Sequence, residues 1–227
     1  VLSSGNKSGD FTYSVLSDNT AQITGYAGTA ANLVVPDKLD GYTVAEIENF
    51  CFSGNKNLVS LKLPDTVTRI GYRAFADCTN LASTNYPLAL KNAGNYNGGF
   101  LFDGTKISSI IVPEGVTALP SDVFQGASML TEVQLPSTLT SIGSRAFQSC
   151  SGLSEIKLPE GLTEIDNWAF EYCTGLVSLK LPDTVTRIGY KAFADCTNLA
   201  SINYPLALKN AGNYNGGFLF DGTKISS

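Results

Sequence analysis

The sequence predicts a right-handed solenoid with an N-terminal β-hairpin cap, α/β or mostly β, whose units of about 23 residues combine short strands with a short helical or 3-10 turn. Three observations carry this. Leu135-Pro136, Leu158-Pro159, Leu181-Pro182 and Tyr204-Pro205 recur at a fixed interval of 23 residues. Phe147, Phe170 and Phe193 keep the same interval, and so do Cys150, Cys173 and Cys196. Apolar residues locked to one period of 20 to 50 residues mark units that bury their apolar faces only against their neighbours.

Taken in order, residues 1–9 (VLSSGNKSG) are small and polar and read as a linker that packs against little. Phe11, Tyr13 and Val15 then alternate with polar residues, Ser17-Asp18-Asn19-Thr20 forms a turn cluster, and Ala21, Ile23 and Gly25 alternate again. That pattern is a hairpin. Together with the extended Asn32-Leu33-Val34-Val35-Pro36 it is placed to cover the first exposed rung. We therefore assign residues 1–35 to the linker and cap and residues 36–227 to about eight repeats, continuous with the cap as one domain.

Each regular unit has three parts. In Leu176–Leu181, Leu179 and Leu181 face inward while Ser178 and Lys180 face out, as alternation in a strand requires. Pro182 ends the strand because it cannot donate to a ladder. A second short β-like piece over 184–188 buries Val185 and Ile188. Phe193, Cys196 and Leu199 follow at intervals of three, which predicts a short helical or 3-10 turn. The Gly- and Asn-rich stretch 88–106 departs from the pattern and reads as a bulge on one edge. Eight rungs at roughly 4.8 Å would make a body on the order of 38 Å long.

A longer copy overlies the short period. Residues 58–109 and 176–227 differ only at Arg73 against Lys191 and Thr84 against Ile202, which marks a recent tandem duplication. The second copy stops in mid-strand at Ser227, so the natural chain is expected to run on.

Composition narrows the function. Fifteen Lys and Arg against 20 Asp and Glu give a net charge of -5, which argues against a phosphate-binding face for nucleic acid. No apolar run is long enough to span a membrane, so no insertion of this stretch is expected. The chain has no histidine, which removes His-based triads, His-containing zinc sites and Cys-His pairs. The column Cys78, Cys150, Cys173, Cys196 lies on the inward side, where free Cys acts as a small buried hydrophobe, and Ala127 fills the same slot. Glu132 and Glu155 fall in one solvent-facing column, and Glu164 and Arg187 stand at equivalent positions of adjacent units, set for an ion pair between rungs. The stretch 95–99 lacks the setting of a phosphate loop, and 102–105 is too sparse for a calcium loop. No catalytic residue, cofactor or metal is expected.

The unit L-x-x-I-x-L-P-x-x-(V/L)-T-x-I-x-x-x-A-F-x-x-C resembles the BspA-like leucine-rich repeats of bacterial and protozoan surface proteins. Leu153, Ile156, Leu158, Pro159, Leu162, Thr163, Ile165, Ala169, Phe170 and Cys173 fill its positions. Pro and a loop residue replace the Asn or Cys that usually follows L-x-L, so an asparagine ladder is not expected. The resemblance implies a leucine-rich-repeat solenoid and secretion or surface display, often with adhesion to host proteins or other cells. It carries over no catalytic residue.

Two surface sets are candidate binding sites. Trp168 aligns with Arg145 and Lys191 in the turn segment, and Tyr172 and Tyr190 fall on nearby non-core positions. Aromatics and Arg dominate interface energetics, and exposed rings also stack on sugars. The second set is the outward pair Lys157 and Lys180, a local basic spot on an acidic protein. The leading expectation is a monomeric recognition or adhesion module, extracellular or on the cell surface, taking a host extracellular protein or glycan. The alternatives are a rigid spacer of a larger surface protein and a carbohydrate-binding appendage of a surface enzyme.

Overall fold

In the computed structural model, which describes residues 1–90, 92–93, 99–203, 205 and 219–225, the chain is a mostly β solenoid of stacked rungs. The cap contains the expected hairpin: β2 (Phe11–Val15) pairs antiparallel with β3 (Ala21–Tyr26). Against expectation, part of residues 1–9 is also ordered, because β1 (Ser3–Ser8) pairs antiparallel with β2. A ladder is made by backbone groups and needs no apolar side chains, so a polar stretch can join it while its side chains stay mostly exposed. Asp40 fastens this edge, accepting hydrogen bonds from the Ser8 hydroxyl at 2.9 Å and the Tyr13 hydroxyl at 2.8 Å. On its other side β3 pairs parallel with Tyr42–Ile47 and so covers the first rung.

Two strand columns build the body. On one face Asn32–Val34 pairs parallel with Ser60–Lys62, and that with Ser83–Thr84. On the other, Ile142, Ile165 and Ile188 stack in register through Ser141–Ile142, Glu164–Ile165 and Arg187–Ile188. Alternation does the sorting here. Leu179, Leu181, Val185 and Ile188 are buried while Ser178, Lys180 and Arg187 are exposed, as the period of two dictates. The first face is interrupted in the fifth unit: within Ser154–Leu158 the one backbone hydrogen bond to a neighbouring rung runs from Val177 N–H to the Ser154 carbonyl, 3.2 Å.

The segment expected to be helical or 3-10 is a run of consecutive turns, and no helix occurs among the described residues. The hydrogen bonds say why. Ala146, Gln148 and Cys150 donate back three residues within their own unit, whereas the intervening Arg145, Phe147 and Ser149 donate to Asn167, Ala169 and Glu171 of the next. A helix would turn every N–H inward along its axis. Alternation instead spends half of them on joining rungs, and two residues per unit hold positive φ to achieve it. Arg145 (54°) and Ser149 (61°), Trp168 (55°) and Tyr172 (59°), and Lys191 (52°) and Asp195 (57°) are three such pairs. No right-handed helix passes through a left-handed residue.

Inside, Phe52, Phe75, Phe102, Phe124, Phe147, Phe170, Phe193 and Phe220 form one continuous stack with ring centroids 5.1 to 6.4 Å apart. The cysteine column lies beside it, free and fully buried, as expected. Each thiol also has a polar task. Cys150, Cys173 and Cys196 donate to the carbonyls of Phe124, Phe147 and Phe170 in the preceding unit at 3.0 to 3.1 Å. At the same position Thr105 serves the Phe102 carbonyl of its own unit at 2.8 Å. Burial pushes the Cys78 thiol up to about 11 and raises Cys150 and Cys173 further. Burial raises the Cys51 thiol as well, so access decides the order: a thiol reagent added to folded protein should label Cys51 first, since it alone of the five is partly exposed, and reach the other four only on unfolding. Rapid labelling of more than one thiol in the native state would contradict this packing.

Polar ladders run outside the core. Threonine hydroxyls join successive units: Thr140 donates to the Thr117 carbonyl at 2.9 Å, Thr163 to Thr140 at 3.0 Å and Thr186 to Thr163 at 3.3 Å. Two asparagines that strand alternation would point outward turn back instead. Asn85 brackets the backbone N–H and carbonyl of Leu63, and Asn203 those of Leu181. The rung-to-rung ion pair of Glu164 with Arg187 is present, and Glu46 with Arg69 repeats it. Part of the bulge at 88–106, namely residue 91 and residues 94–98, lies outside the described residues.

Candidate binding surface

The left-handed turn positions decide what the solenoid edge displays. In one column stand Phe50, Arg73, Phe100, Asp122, Arg145, Trp168 and Lys191, each with positive φ, and successive units bring these side chains to one edge. Four of the five residues expected here are in fact assembled. The Arg145 guanidinium lies over the Trp168 ring, 5.0 Å from its centroid, within the range of a cation–π contact. Trp168 and Tyr190 meet edge to face at 5.7 Å and 86°, and the Lys191 ammonium sits 5.8 Å from the Tyr190 centroid. Tyr172 stands apart in the second left-handed column, 49% exposed and without a ring contact among the described residues.

Backbone hydrogen bonds fix this cluster. Asn167 Oδ1 accepts from the Tyr190 N–H at 2.7 Å, and the Trp168 N–H donates to the Tyr190 carbonyl at 2.9 Å. Gly189 makes the approach possible, because a Cβ there would collide with the Asn167 backbone nitrogen. The rings are thus held by the frame of the solenoid. Arg145 is also tied to Asp122 at 3.5 Å, and partial burial raises the Asp122 carboxyl above its usual range against the pull of that guanidinium.

Sequence reasoning missed a second cluster of the same construction. Phe50 and Tyr72 meet edge to face at 5.4 Å and 87°, with Tyr72 N–H bonded to Asn49 Oδ1 at 2.8 Å and Phe50 N–H to the Tyr72 carbonyl at 3.0 Å. Phe100 extends it, 6.4 Å from Tyr72. Its signal was present in the sequence: Asn49-Phe50 precedes Gly71-Tyr72-Arg73 by the spacing that separates Asn167-Trp168 from Gly189-Tyr190-Lys191.

Lys157 and Lys180 lie elsewhere, along a groove of about 920 Å³ on the strand face where the ladder is interrupted. Glu114, Glu132, Glu155 and Glu160 line the same groove, so the two lysines do not make an isolated basic spot. No group of three or more Cys, Asp and Glu among the described residues is arranged to hold a metal ion.

Short parallel rungs, a phenylalanine stack and consecutive turns define a leucine-rich-repeat solenoid. The chain belongs to the BspA-type leucine-rich repeat family, whose model matches residues 30–98 and 97–218 in six copies. Among solved structures it is similar to the T. pallidum leucine-rich repeat protein, with 29% identity over 87% of this chain and 81% of that one and a TM-score of 0.57. The pneumococcal vaccine antigen PcpA shares the fold at 15% identity, over 90% and 71% of the two chains, with a TM-score of 0.51. A leucine-rich cell surface protein from Faecalibacterium prausnitzii A2-165 is 24% identical over 88% and 76%, with a TM-score of 0.49. No curated protein sequence matches.

Proposed function

We propose that the chain is a non-catalytic recognition module, secreted or displayed at the bacterial surface, that binds a host extracellular protein or glycan through its turn edge. The observation that carries this reading is the rigid mounting of Trp168 and Tyr190. Both rings are partly exposed, yet two bonds between their units, Tyr190 N–H to Asn167 Oδ1 and Trp168 N–H to the Tyr190 carbonyl, pin the backbone that carries them. Rings held in place before binding lose little entropy on contact, which is how aromatic anchors come to dominate interfaces.

The family match supports a repeat-based binding or structural role. The sequence offers no histidine for acid-base chemistry, and the carboxylates at the strand-face groove share it with lysines. An array of matrix proteins and glycans, probed with wild type and Trp168→Ala, tests the reading. A ligand bound by wild type should lose about 30-fold or more in affinity in the variant, the mark of a hot-spot residue. A ligand that both bind equally would move the site away from this edge. A blank from protein shown folded by circular dichroism would favour the rigid spacer.

A further inference from the structure

The two aromatic clusters are too alike to be treated singly. Each places an Asn-aromatic pair on one unit against a Gly-Tyr-basic triplet on the next, with the same two hydrogen bonds and the same perpendicular ring geometry. Gly71 repeats the role of Gly189, since a Cβ there would collide with the Asn49 backbone nitrogen.

Duplication alone does not account for the match. Tyr72 and Tyr190 lie in the near-identical copies, but Phe50 and Trp168 lie before them, where Cys51 faces Ala169, Gly54 faces Tyr172 and Asn55 faces Cys173. An aromatic ring stands at this one surface position in both halves although its neighbours differ. Between the clusters the Tyr position is occupied by Gly99, Ser121 and Ser144, so the pair is not rebuilt in the intervening units.

Each ring of the second cluster lies five units on from its counterpart in the first, on the order of 24 Å at the spacing of paired strands. One surface that presents two equal platforms at a fixed interval suits a ligand that itself repeats. Charge narrows its chemistry. Arg73 beside the first platform is bound to Asp77 and Asp103, both at 3.2 Å, and Arg145 beside the second to Asp122. These guanidiniums are paired with carboxylates and the Lys191 ammonium lies against the Tyr190 ring, so the platforms offer aromatic surface in preference to an open anion site. The C–H face of an uncharged pyranose ring fits that offer.

Resting on the recognition reading above, we infer that the Phe50/Tyr72 and Trp168/Tyr190 platforms are paired subsites for one neutral polysaccharide chain laid along the turn edge. Each subsite stacks a sugar ring, and the intervening units set the distance between the two.

The test uses the whole chain with Phe50→Ala, Trp168→Ala and the double variant, each checked by circular dichroism. The probes are long and short fragments of neutral linear glucans and mannans, followed by calorimetry. Wild type should bind one long chain but two short fragments, and each single variant should bind one short fragment. Long-chain affinity should fall by about 10²-fold in either single variant, the lower range of the gain from linking two sites, and vanish in the double. Long-chain binding that ignores Phe50→Ala would overturn the pairing and leave a single recognition site intact. A protein ligand lost in Trp168→Ala, with no glucan or mannan bound, would overturn the glycan assignment while keeping the recognition module. Absence of any ligand would remove the reading beneath both.

Discussion

Phe147→Ala is expected to be the most damaging single truncation in the chain, costing about 3–5 kcal/mol, the usual range for a fully buried Phe. Phe147 is completely buried and stacks on Phe124 at 5.3 Å and on Phe170 at 5.1 Å, so its loss leaves a void bordered by rings on both sides. The backbone resists collapse into that void. Phe147 N–H is bonded to the Ala169 carbonyl at 2.8 Å, and its own carbonyl receives the Cys150 N–H at 3.1 Å and the Cys173 thiol at 3.0 Å.

Position in the stack should matter as much as burial. A solenoid holds together through contacts between nearest neighbours, so weakening a central interface loosens the coupling of everything on either side. Urea unfolding of Phe147→Ala should show a lower midpoint and a broader transition. Phe220→Ala should cost less, since that ring is only partly buried and stacks on Phe193 alone among the described residues. Equal costs at the two positions would contradict a core built as a continuous stack.

The stack was legible in the sequence because Phe, Cys and Leu-Pro all recur every 23 residues, and stacked units that bury them against one another require that period. The ion pair of Glu164 with Arg187 was legible for the same reason: in-register rungs bring equivalent positions side by side. Turn conformation was not. The spacing of three between Phe193, Cys196 and Leu199 fits a helical turn and a chain of β-turns equally, and only the alternation of N–H partners separates them. Glycine marks the second left-handed column at Gly54, Gly104, Gly126 and Gly222, but Ser149, Tyr172 and Asp195 hold that position in other units, and the first column, with Arg145, Trp168 and Lys191, carries no glycine among the described residues. The binding edge was half visible. Trp168 drew attention because it aligns with Arg145 and Lys191 in the turn segment, while Phe50 and Tyr72 became visible only once their bonds proved to repeat those of Trp168 and Tyr190.

One polar column makes a prediction in which two substitutions of the same kind part company. Gln125, Gln148 and Glu171 each follow a core phenylalanine by one residue and stack in three successive units, joined by amide hydrogen bonds. Direction is set at the Glu171 end. A carboxylate only accepts, so Gln148 must turn its Nε2 toward Glu171 and its Oε1 toward Gln125, and Gln125 must then donate. That leaves Gln125 Oε1 buried without a donor. Gln148→Leu removes the side-chain hydrogen-bond donor that Glu171 has, and Glu171 is only 6% exposed. The stranded acceptor should cost about 2–3 kcal/mol, as buried hydrogen bonds to charged groups do. Gln125→Leu instead deletes the orphaned oxygen, and the Gln148 Oε1 it abandons belongs to a partly exposed residue that water can reach. Its cost should stay below about 1 kcal/mol, since removing an unsatisfied group offsets the lost bond. Urea midpoints of the two variants, measured side by side, should therefore separate clearly, with Gln148→Leu the lower. Equal midpoints would mean that Glu171 is not the acceptor that orders the column.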